Sequence, residues 1–178
     1  MLRSIDHGLV VDYSNKGFRL APVICFEDTV PQVVRKVIRS TTEDDPSHRR
    51  PDVLLNLTND GWFHGSSELD QHLITASFRS IECRTPMVRA VNTGISALID
   101  GDGVIRARAT DPETHRSKQV DAILVETVPL DNRTSFYVAH GDLFGGGCLG
   151  GCGLILLAGL FQFASSYRRK VVRAEAGG

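Results

Sequence analysis

The sequence has almost equal numbers of basic and acidic residues, and this limits the classes of partner that it can bind. Its 20 Lys and Arg residues stand against 21 Asp and Glu residues, which gives a formal net charge of −1. A protein that holds nucleic acid needs a basic surface to neutralise the phosphates. Nucleic acid is therefore not expected as a partner.

Cysteine is scarce, and its placement does not suggest a disulfide framework. The 178 residues contain four cysteines. Cys148 and Cys152 lie within an apolar run, whereas Cys25 and Cys83 are isolated in the rest of the chain. A chain of this size with so few cysteines does not depend on disulfides for its core.

One long apolar run is present near the C-terminus. Residues 143–164 contain no Asp, Glu, Lys, Arg or His, and as a helix they would extend about 33 Å, enough for a hydrocarbon core of roughly 30 Å. The alternative is a buried core helix, which the seven glycines of the run favour because they weaken helix propensity. Glycine is better tolerated in membrane helices than in soluble ones. The positive-inside rule places the C-terminus in the cytoplasm and residues 1–142 on the far side, because a basic cluster follows the run at Arg168, Arg169, Lys170 and Arg173.

Ahead of this run, short apolar segments alternate with helical patterns. Strands are predicted at residues 17–25, 52–57, 87–91, 95–99, 104–109 and 122–128. Helices are predicted from Pro31 onward and over residues 68–84, the second of which Pro86 ends. The order predicts an α/β domain with a mixed sheet over residues 1–142. A transmembrane helix at 143–164 and a basic cytoplasmic tail at 165–178 would follow.

The strongest local motif is VICFED at residues 23–28, where a strand gives way to a helix. The N-terminus of a helix favours the thiolate form of a cysteine, which is the nucleophilic form. The backbone N–H of Phe26 could also donate to an oxyanion. From the residues alone, the alternative is that Cys25 is a small buried hydrophobic residue.

Five motifs follow one another along the chain: ICFED with its following Pro (24–31), LTNDGWF (57–63), RSIE with the following RTP (79–86), VNTGIS (91–96) and the junction at 136–144. In this order they resemble bacterial apolipoprotein N-acyltransferases, a family of the nitrilase, or carbon–nitrogen hydrolase, superfamily. The resemblance covers roughly residues 17–165, and the terminal apolar run separates this family from soluble nitrilases.

The resemblance implies a fold, a reaction and a location. The fold is a partial nitrilase-type α-β-β-α sandwich followed by one transmembrane helix. The reaction is a two-step acyl transfer, in which a cysteine takes a fatty acyl chain from a phospholipid as a thioester. It then passes the chain to the N-terminal cysteine amine of a diacylglyceryl lipoprotein, with no metal or organic cofactor. The location is the bacterial inner membrane, with the soluble domain on the periplasmic side.

The resemblance also implies roles for individual residues. Glu27 is either a catalytic acid beside the nucleophile or an acid that interacts with the helix terminus. Trp62 is either part of the acyl site or a packing anchor, and Glu82 either faces the site or is solvated beside Arg79. The implied catalytic residues are Cys25 and Glu27, with the Phe26 N–H as oxyanion donor; the implied substrate-binding residues are Asn59, Trp62 and Glu82. The histidines His64, His72 and His140 lack metal-ligand spacing and are assigned to the surface or to packing.

The sequence departs from the family in one respect. The family's triad is Glu, Lys and Cys, and no Glu precedes Cys25, while Lys16 is too close to match. Residues 1–11 also hold no apolar run of the kind found in a secretory signal. We therefore expect the chain to be an inactive fragment, the product of a misassigned start, or half of a split protein. A membrane-tethered nitrilase-type amidase and a catalytically inactive nitrilase-fold module remain as alternative functions.

Overall fold

The computed structural model describes residues 2–5, 8–13, 17–43 and 49–176. The chain divides into two compact units, Met1–Gly141 and Asp142–Gly178. The described strands of the first unit are β1 (Leu2–Ile5), β2 (Gly8–Tyr13), β3 (Phe18–Ile24), β4 (Val53–Asn59), β5 (Met87–Asn92), β6 (Ala97–Ile99) and β7 (Ile105–Arg108). Its described helices are α1 (Pro31–Glu43), α2 (Glu68–Cys83) and α3 (Phe136–His140), and its described 3₁₀ segments are the Cys25 turn (Cys25–Thr29) and the Trp62 turn (Gly61–Phe63).

The strands form one mixed sheet in the spatial order β1-β2-β3-β4-β5-β6-β7. The central strands β3, β4 and β5 are parallel, and the outer pairs are antiparallel. The carboxyl ends of parallel strands meet at one edge of a sheet. Cys25, which follows β3, therefore lies on the same edge as Asn59 and Asn92, which are register partners at the ends of β4 and β5.

The core lies between the sheet and the two long helices. Helix α1 contacts β3 and α2, and α2 contacts β5. The apolar residues Leu69, Leu73 and Ala76 lie on one stripe of α2 and are buried. The strands contribute Ala21, Val23, Leu54 and Met87 to this core, and α1 contributes Val34, Val37 and Ile38.

The other face of the sheet is also apolar, although the described helices do not cover it. Pro22, Leu55 and Val88 are aligned across the three parallel strands. On the same face, Ile24 is 52% exposed and Leu57 is 42% exposed. One layer of helices on one sheet with a second apolar face is one half of an α-β-β-α sandwich. The predicted partial nitrilase-type fold is confirmed.

Two differences from the expected strands are found. Strands β1 and β2 extend the sheet at residues that were not predicted as strands. Conversely, residues 122–128 form no strand, and Ile123 and Val125 are 91% and 86% exposed. Apolar β-branched composition describes side chains that suit a pleated surface, but a strand also needs a hydrogen-bonding neighbour. Among the described residues this segment has none in the sheet.

The second unit is a single long helix. Helix α4 runs from Leu143 to Ala176, so the residues expected as a separate tail continue the helix at least to Ala176. Its segment Leu143–Ser165 has a mean hydropathy of 1.9, with none of its most apolar stretch buried, and is long and apolar enough to cross a membrane. The expected apolar C-terminal helix is therefore present.

Candidate active site

Cys25 has an unusual backbone conformation. It follows β3 directly and begins the Cys25 turn, with a φ of +52°. A left-handed conformation costs a residue with a Cβ roughly 1–2 kcal/mol. Such strain persists only where the surrounding structure holds it, and it is concentrated at functional sites. The thiol of Cys25 is free and partly exposed, as a reactive thiol must be.

Three hydrogen bonds hold the backbone around Cys25. The side-chain amide of Asn56 on β4 donates to the carbonyl oxygen of Cys25 at 3.2 Å. The carboxylate of Glu27 accepts from the backbone N–H of Ile24 at 2.7 Å. The hydroxyl of Thr29 donates to the carbonyl oxygen of Phe26 at 2.7 Å. Glu27 therefore closes the turn from its solvent side, which is a structural contact in addition to any chemical role.

A buried cluster of four charged or titratable side chains lies beneath the turn. His72 Nε2 lies 2.8 Å from Asp28 Oδ1, and His72 Nδ1 lies 3.0 Å from Asp60 Oδ1. Arg89 donates to Asp28 and lies 3.8 Å from Asp60. The hydroxyl of Thr58 donates to Asp60 at 3.0 Å. All four side chains of the cluster, Asp28, Asp60, His72 and Arg89, are buried.

The cluster contains two buried carboxylates, and their negative charges need positively charged partners. Burial lowers the pKa of Arg89, and the adjacent Asp28 and Asp60 carboxylates oppose that shift. Both ring nitrogens of His72 face carboxylate oxygens, and only an imidazolium can donate from both. In that form the four side chains carry two positive and two negative charges. A buried cluster with balanced charges avoids the large cost of an unpaired ion.

The aromatic ring of Phe26 joins this cluster to the Trp62 turn. It stacks on the His72 ring with centroids 4.9 Å apart and an interplanar angle of 24°. It also lies 5.8 Å from the ring of Phe63, which ends the Trp62 turn. Contacts of this kind fix the orientation of aromatic rings. These ring contacts therefore restrict the position of Phe26, whose backbone N–H is the expected oxyanion donor.

The expected site residues Asn59 and Trp62 lie on this same side of the sheet. Asn59 Oδ1 accepts from the backbone N–H of Gly61 and from the amide of Asn92, both at 3.1 Å. This places Asn59 as the link between the Trp62 turn and the end of β5. Trp62 itself is 75% exposed, so its indole is available to a substrate rather than committed to the core.

The turn after β5 packs closely against the cluster. Thr93 has a φ of +63°, which is strained for a β-branched residue. A Cβ on Gly94 would lie 2.6 Å from Asp60 Oδ2 and 2.4 Å from the Val91 side chain. Only glycine fits at this position, and the Asn-Thr-Gly motif is thereby explained by its approach to Asp60.

Glu82 lies at the other end of α2. Its carboxylate accepts from Arg79 at 2.8 Å, and Arg79 donates to the carbonyl oxygen of Thr29 at 3.4 Å. Glu82 is ten residues beyond His72, or about 15 Å along the helix. The structure therefore connects Glu82 to the end of the Cys25 turn through Arg79, and its substrate-binding role stays a prediction.

The second cysteine of the first unit is unlike Cys25. Cys83 is fully buried at the end of α2. Burial, with a smaller contribution from the neighbouring Glu82, raises the pKa of its thiol to about 12. A thiol in this state is inert at neutral pH. Cys25 is thus the better nucleophile of the two.

Several residues of the site were not recognised from the sequence. His72 was assigned to the surface or to packing, and the structure places it in the core of the site. A signal was available for Asn56 and Arg89, because both are polar residues at buried positions of apolar strands. Asp28 and Asp60 lie within two recognised motifs, but the sequence does not show that they face each other across His72.

The comparisons with known proteins agree with this fold. Residues 8–135 match the family model of the carbon–nitrogen hydrolases. The chain belongs to the carbon–nitrogen hydrolase family. The matched residues include Cys25, the free cysteine at the strained junction between β3 and the Cys25 turn.

Within that family the chain is similar to apolipoprotein N-acyltransferases. The protein of that name from Geobacter metallireducens is 33% identical over 162 residues, which cover 91% of this chain and 26% of the relative. The one from Shewanella oneidensis is 32% identical over 146 residues, covering 82% and 24%. The chain therefore spans about a quarter of the length of the curated relatives that it matches.

Solved structures of the superfamily are also similar. A carbon–nitrogen hydrolase superfamily protein from Xanthomonas campestris, solved with an arsenic adduct in its active site, is 20% identical. It covers 57% of this chain and 38% of its own, with a TM-score of 0.45. An amidase of the nitrilase superfamily from Nesterenkonia is 15% identical, covering 59% and 38%, with a TM-score of 0.43.

Proposed function

We propose that this chain is the nucleophile-bearing part of a bacterial apolipoprotein N-acyltransferase. Cys25 takes a fatty acyl chain from a phospholipid as a thioester, and the chain then passes to the N-terminal cysteine amine of a diacylglyceryl lipoprotein. The observation that carries the proposal is the free, partly exposed thiol of Cys25 at a strained junction at the end of β3. The identity to relatives of that name over most of this chain supports it.

The proposed chemistry assigns a task to each group around the thiol. The thiolate attacks the ester carbonyl of the donor and displaces the lysophospholipid. The backbone N–H of Phe26 stabilises the oxyanion, and the exposed indole of Trp62 borders the acyl chain. In the second step the amine of the acceptor attacks the thioester and releases the thiol. Asn59 keeps the Trp62 turn in place through its two hydrogen bonds.

A base and a second oxyanion donor are still needed for turnover. A thiol with a pKa near 8.5 is only a few per cent thiolate at neutral pH, and a turn terminus cannot take up and return a proton. The resemblance implies a Glu and a Lys for these tasks, and neither precedes Cys25 at a matching position. We expect them to come from outside these 178 residues, and we expect the chain alone to be inactive.

The proposed location follows from the apolar helix. The segment Leu143–Ser165 spans the inner membrane, with the first unit in the periplasm and the residues after Arg173 in the cytoplasm. A basic end of a span is retained on the cytoplasmic side. A cysteine introduced after Arg173 should resist labelling by a membrane-impermeant reagent in intact cells, and ready labelling would reverse the orientation.

The experiment that tests the function joins the chain to an upstream segment that supplies the Glu and the Lys. The joined protein is given a phospholipid with a labelled acyl chain, and acylation of Cys25 is followed by mass spectrometry. A diacylated lipopeptide is then added to collect the label. We expect both steps in the joined protein, neither in the Cys25→Ala variant and neither in the 178-residue chain alone.

The other outcomes identify the alternatives. Hydrolysis of a small amide without transfer to the lipopeptide would favour a membrane-tethered amidase. Failure of the joined protein, together with no effect of Cys25→Ala in cells, would favour an inactive module. Turnover by the 178-residue chain alone would require a base within it, for which Glu27 and Glu82 are the candidates.

A further inference from the structure

His72 contacts two separate parts of the site. Its Nε2 lies 2.8 Å from Asp28 in the Cys25 turn, and its Nδ1 lies 3.0 Å from Asp60, the residue just before the Trp62 turn. Its ring stacks on that of Phe26. A single side chain thus connects the segment that holds the thiol with the segment that holds Trp62.

His72 has more polar contacts than a buried neutral histidine needs to satisfy its two ring nitrogens. A neutral imidazole is satisfied by one donor and one acceptor. Here two carboxylates face the same ring, and both are buried. Keeping two carboxylates away from water is costly unless each has cationic partners. Arg89 forms an ion pair with both, and His72 lies within hydrogen-bond distance of both as well.

We propose that His72 is a positioning residue, which bridges Asp28 and Asp60 and thereby fixes the left-handed backbone of Cys25 and its placement relative to the Trp62 turn. The consequence for acyl transfer rests on the proposed function of Cys25. The positioning itself is a property of the folded chain and is measured without any acyl donor.

The strain at Cys25 explains why such a bridge matters. The positive φ of Cys25 is opposed by its own Cβ, so the backbone relaxes unless it is held on both sides. Asn56 holds the carbonyl oxygen of Cys25, and Asp28, three residues further on, anchors the end of the turn. Without His72, Asp28 keeps its contact with Arg89 alone.

The Trp62 side depends on the same bridge. Asp60 is held by Thr58 and by His72, and its backbone N–H donates to the carbonyl oxygen of Asn92 at 3.0 Å. The close approach of Gly94 to Asp60 leaves little space for movement. A change at His72 is therefore transmitted to both turns at once.

The test uses the full chain in detergent, labelled with ¹³C at its cysteines. The Cα and Cβ signals of a cysteine report its backbone conformation, and Cys25→Ser identifies the signal of Cys25. We expect His72→Gln to move the Cys25 signals towards those of a negative φ and to leave those of Cys148 in place. Amides of residues 24–30 should exchange with deuterium about tenfold faster, since one charge-assisted hydrogen bond is lost.

Trp62 supplies a second reporter, because it is the only tryptophan of the chain. Its emission should shift in His72→Gln. His140→Gln is the matched control, since His140 is also stacked on a phenylalanine, Phe136, but lies on α3. That variant should leave the Cys25 signals and the Trp62 emission unchanged.

The outcomes separate positioning from packing. If His72→Gln unfolds at a lower temperature but keeps the Cys25 signals of the native chain, His72 only packs and the proposal is wrong. If His72→Gln does not fold, Asp60→Asn decides, since it weakens the same bridge at the end remote from Cys25. Movement of the Cys25 signals in Asp60→Asn supports the bridge, and unmoved signals overturn it. Failure of acyl transfer would leave each of these results intact.

Discussion

The side-chain amide of Asn56 donates one hydrogen bond to the carbonyl oxygen of Cys25 at 3.2 Å and another to that of Val23 at 3.3 Å. Asn56 is fully buried on β4, where it is in register with Val23 of β3. The bend after β3 is therefore held from the neighbouring strand.

Replacement of Asn56 should release this bend. We expect Asn56→Ala to lower the free energy of unfolding by about 1–3 kcal/mol, because one buried and one partly buried carbonyl oxygen lose a donor. Urea unfolding of the full chain in detergent measures the change. Thr75→Ala is the control, since the Thr75 hydroxyl makes one exposed bond to the carbonyl oxygen of Gln71 and should cost less than half as much. Equal effects of the two variants would contradict the role of Asn56.

Glu27 allows a structural and a chemical role to be separated. Its carboxylate accepts from the backbone N–H of Ile24 at 2.7 Å, and a glutamine keeps an acceptor oxygen but loses the charge. We expect Glu27→Ala to lower the free energy of unfolding by about 1 kcal/mol and Glu27→Gln to lower it by less. Unfolding titrations of both variants measure this.

The same two variants report on chemistry in the protein joined to a segment that supplies the Glu and the Lys. If Glu27 only closes the turn, Glu27→Gln should form the Cys25 thioester at nearly the native rate. If its charge takes part, Glu27→Gln should lose thioester formation while its stability is unchanged. A loss in Glu27→Ala alone would assign Glu27 to the turn.

Local patterns predicted most of the fold from the sequence. The strand before Cys25, helix α2 and the start of α1 were expected close to where they are observed, because apolar periodicity and the prolines at Pro31 and Pro86 mark them directly. The apolar part of α4 was expected at residues 143–164, and the helix continues to Ala176. Residues 122–128 were expected as a strand and are not one. Their composition suits a sheet, but composition does not reveal whether a hydrogen-bonding neighbour is present.

The sequence showed motifs that are contiguous in the chain, but it did not show contacts between residues that are far apart in sequence. Cys25, Asn59 and Trp62 were proposed as site residues because each lies in a contiguous motif, and the ends of the parallel strands bring these motifs to one edge of the sheet. His72 was missed because its importance depends on Asp28 and Asp60, which are 44 and 12 residues away in sequence. A lone histidine on a helix carries no local sign of two buried carboxylates.

Cys83 should make the stability of the chain depend on alkaline pH. The pKa of its thiol is raised from 9.0 to about 12 in the folded chain, chiefly by burial. The unfolded chain therefore loses this proton at lower pH than the folded chain. The stabilisation is fully present below pH 9 and falls as the pH rises towards 12, by at most about 1.4 kcal/mol per pH unit.

The measurement compares the native chain with Cys83→Ala, in which this proton is absent. Cys83→Ala should begin less stable, because a buried side chain is truncated. Its free energy of unfolding should then fall less steeply between pH of about 9 and about 10.5. Tyrosines and lysines that titrate in this range contribute to both chains and cancel in the difference. If the free energies of unfolding of the native chain and of Cys83→Ala fall in parallel with pH, Cys83 ionises alike in the folded and unfolded chains.

The apolar helix gives the most direct test of membrane attachment. Leu154 lies at the middle of the segment Leu143–Ser165 and is 70% exposed. An arginine at the centre of a span costs about 2.5–3.5 kcal/mol of insertion free energy. We expect Leu154→Arg to move a large part of the chain from the membrane fraction to the fraction released by alkaline carbonate. Leu154→Phe keeps an apolar side chain at the same position and should remain in the membrane fraction.

Two results would contradict the span. The native chain could be fully soluble without detergent, or Leu154→Arg could remain in the membrane fraction as completely as Leu154→Phe. In either case the helix does not span the membrane, and the proposed location of the acyl transfer has to be abandoned.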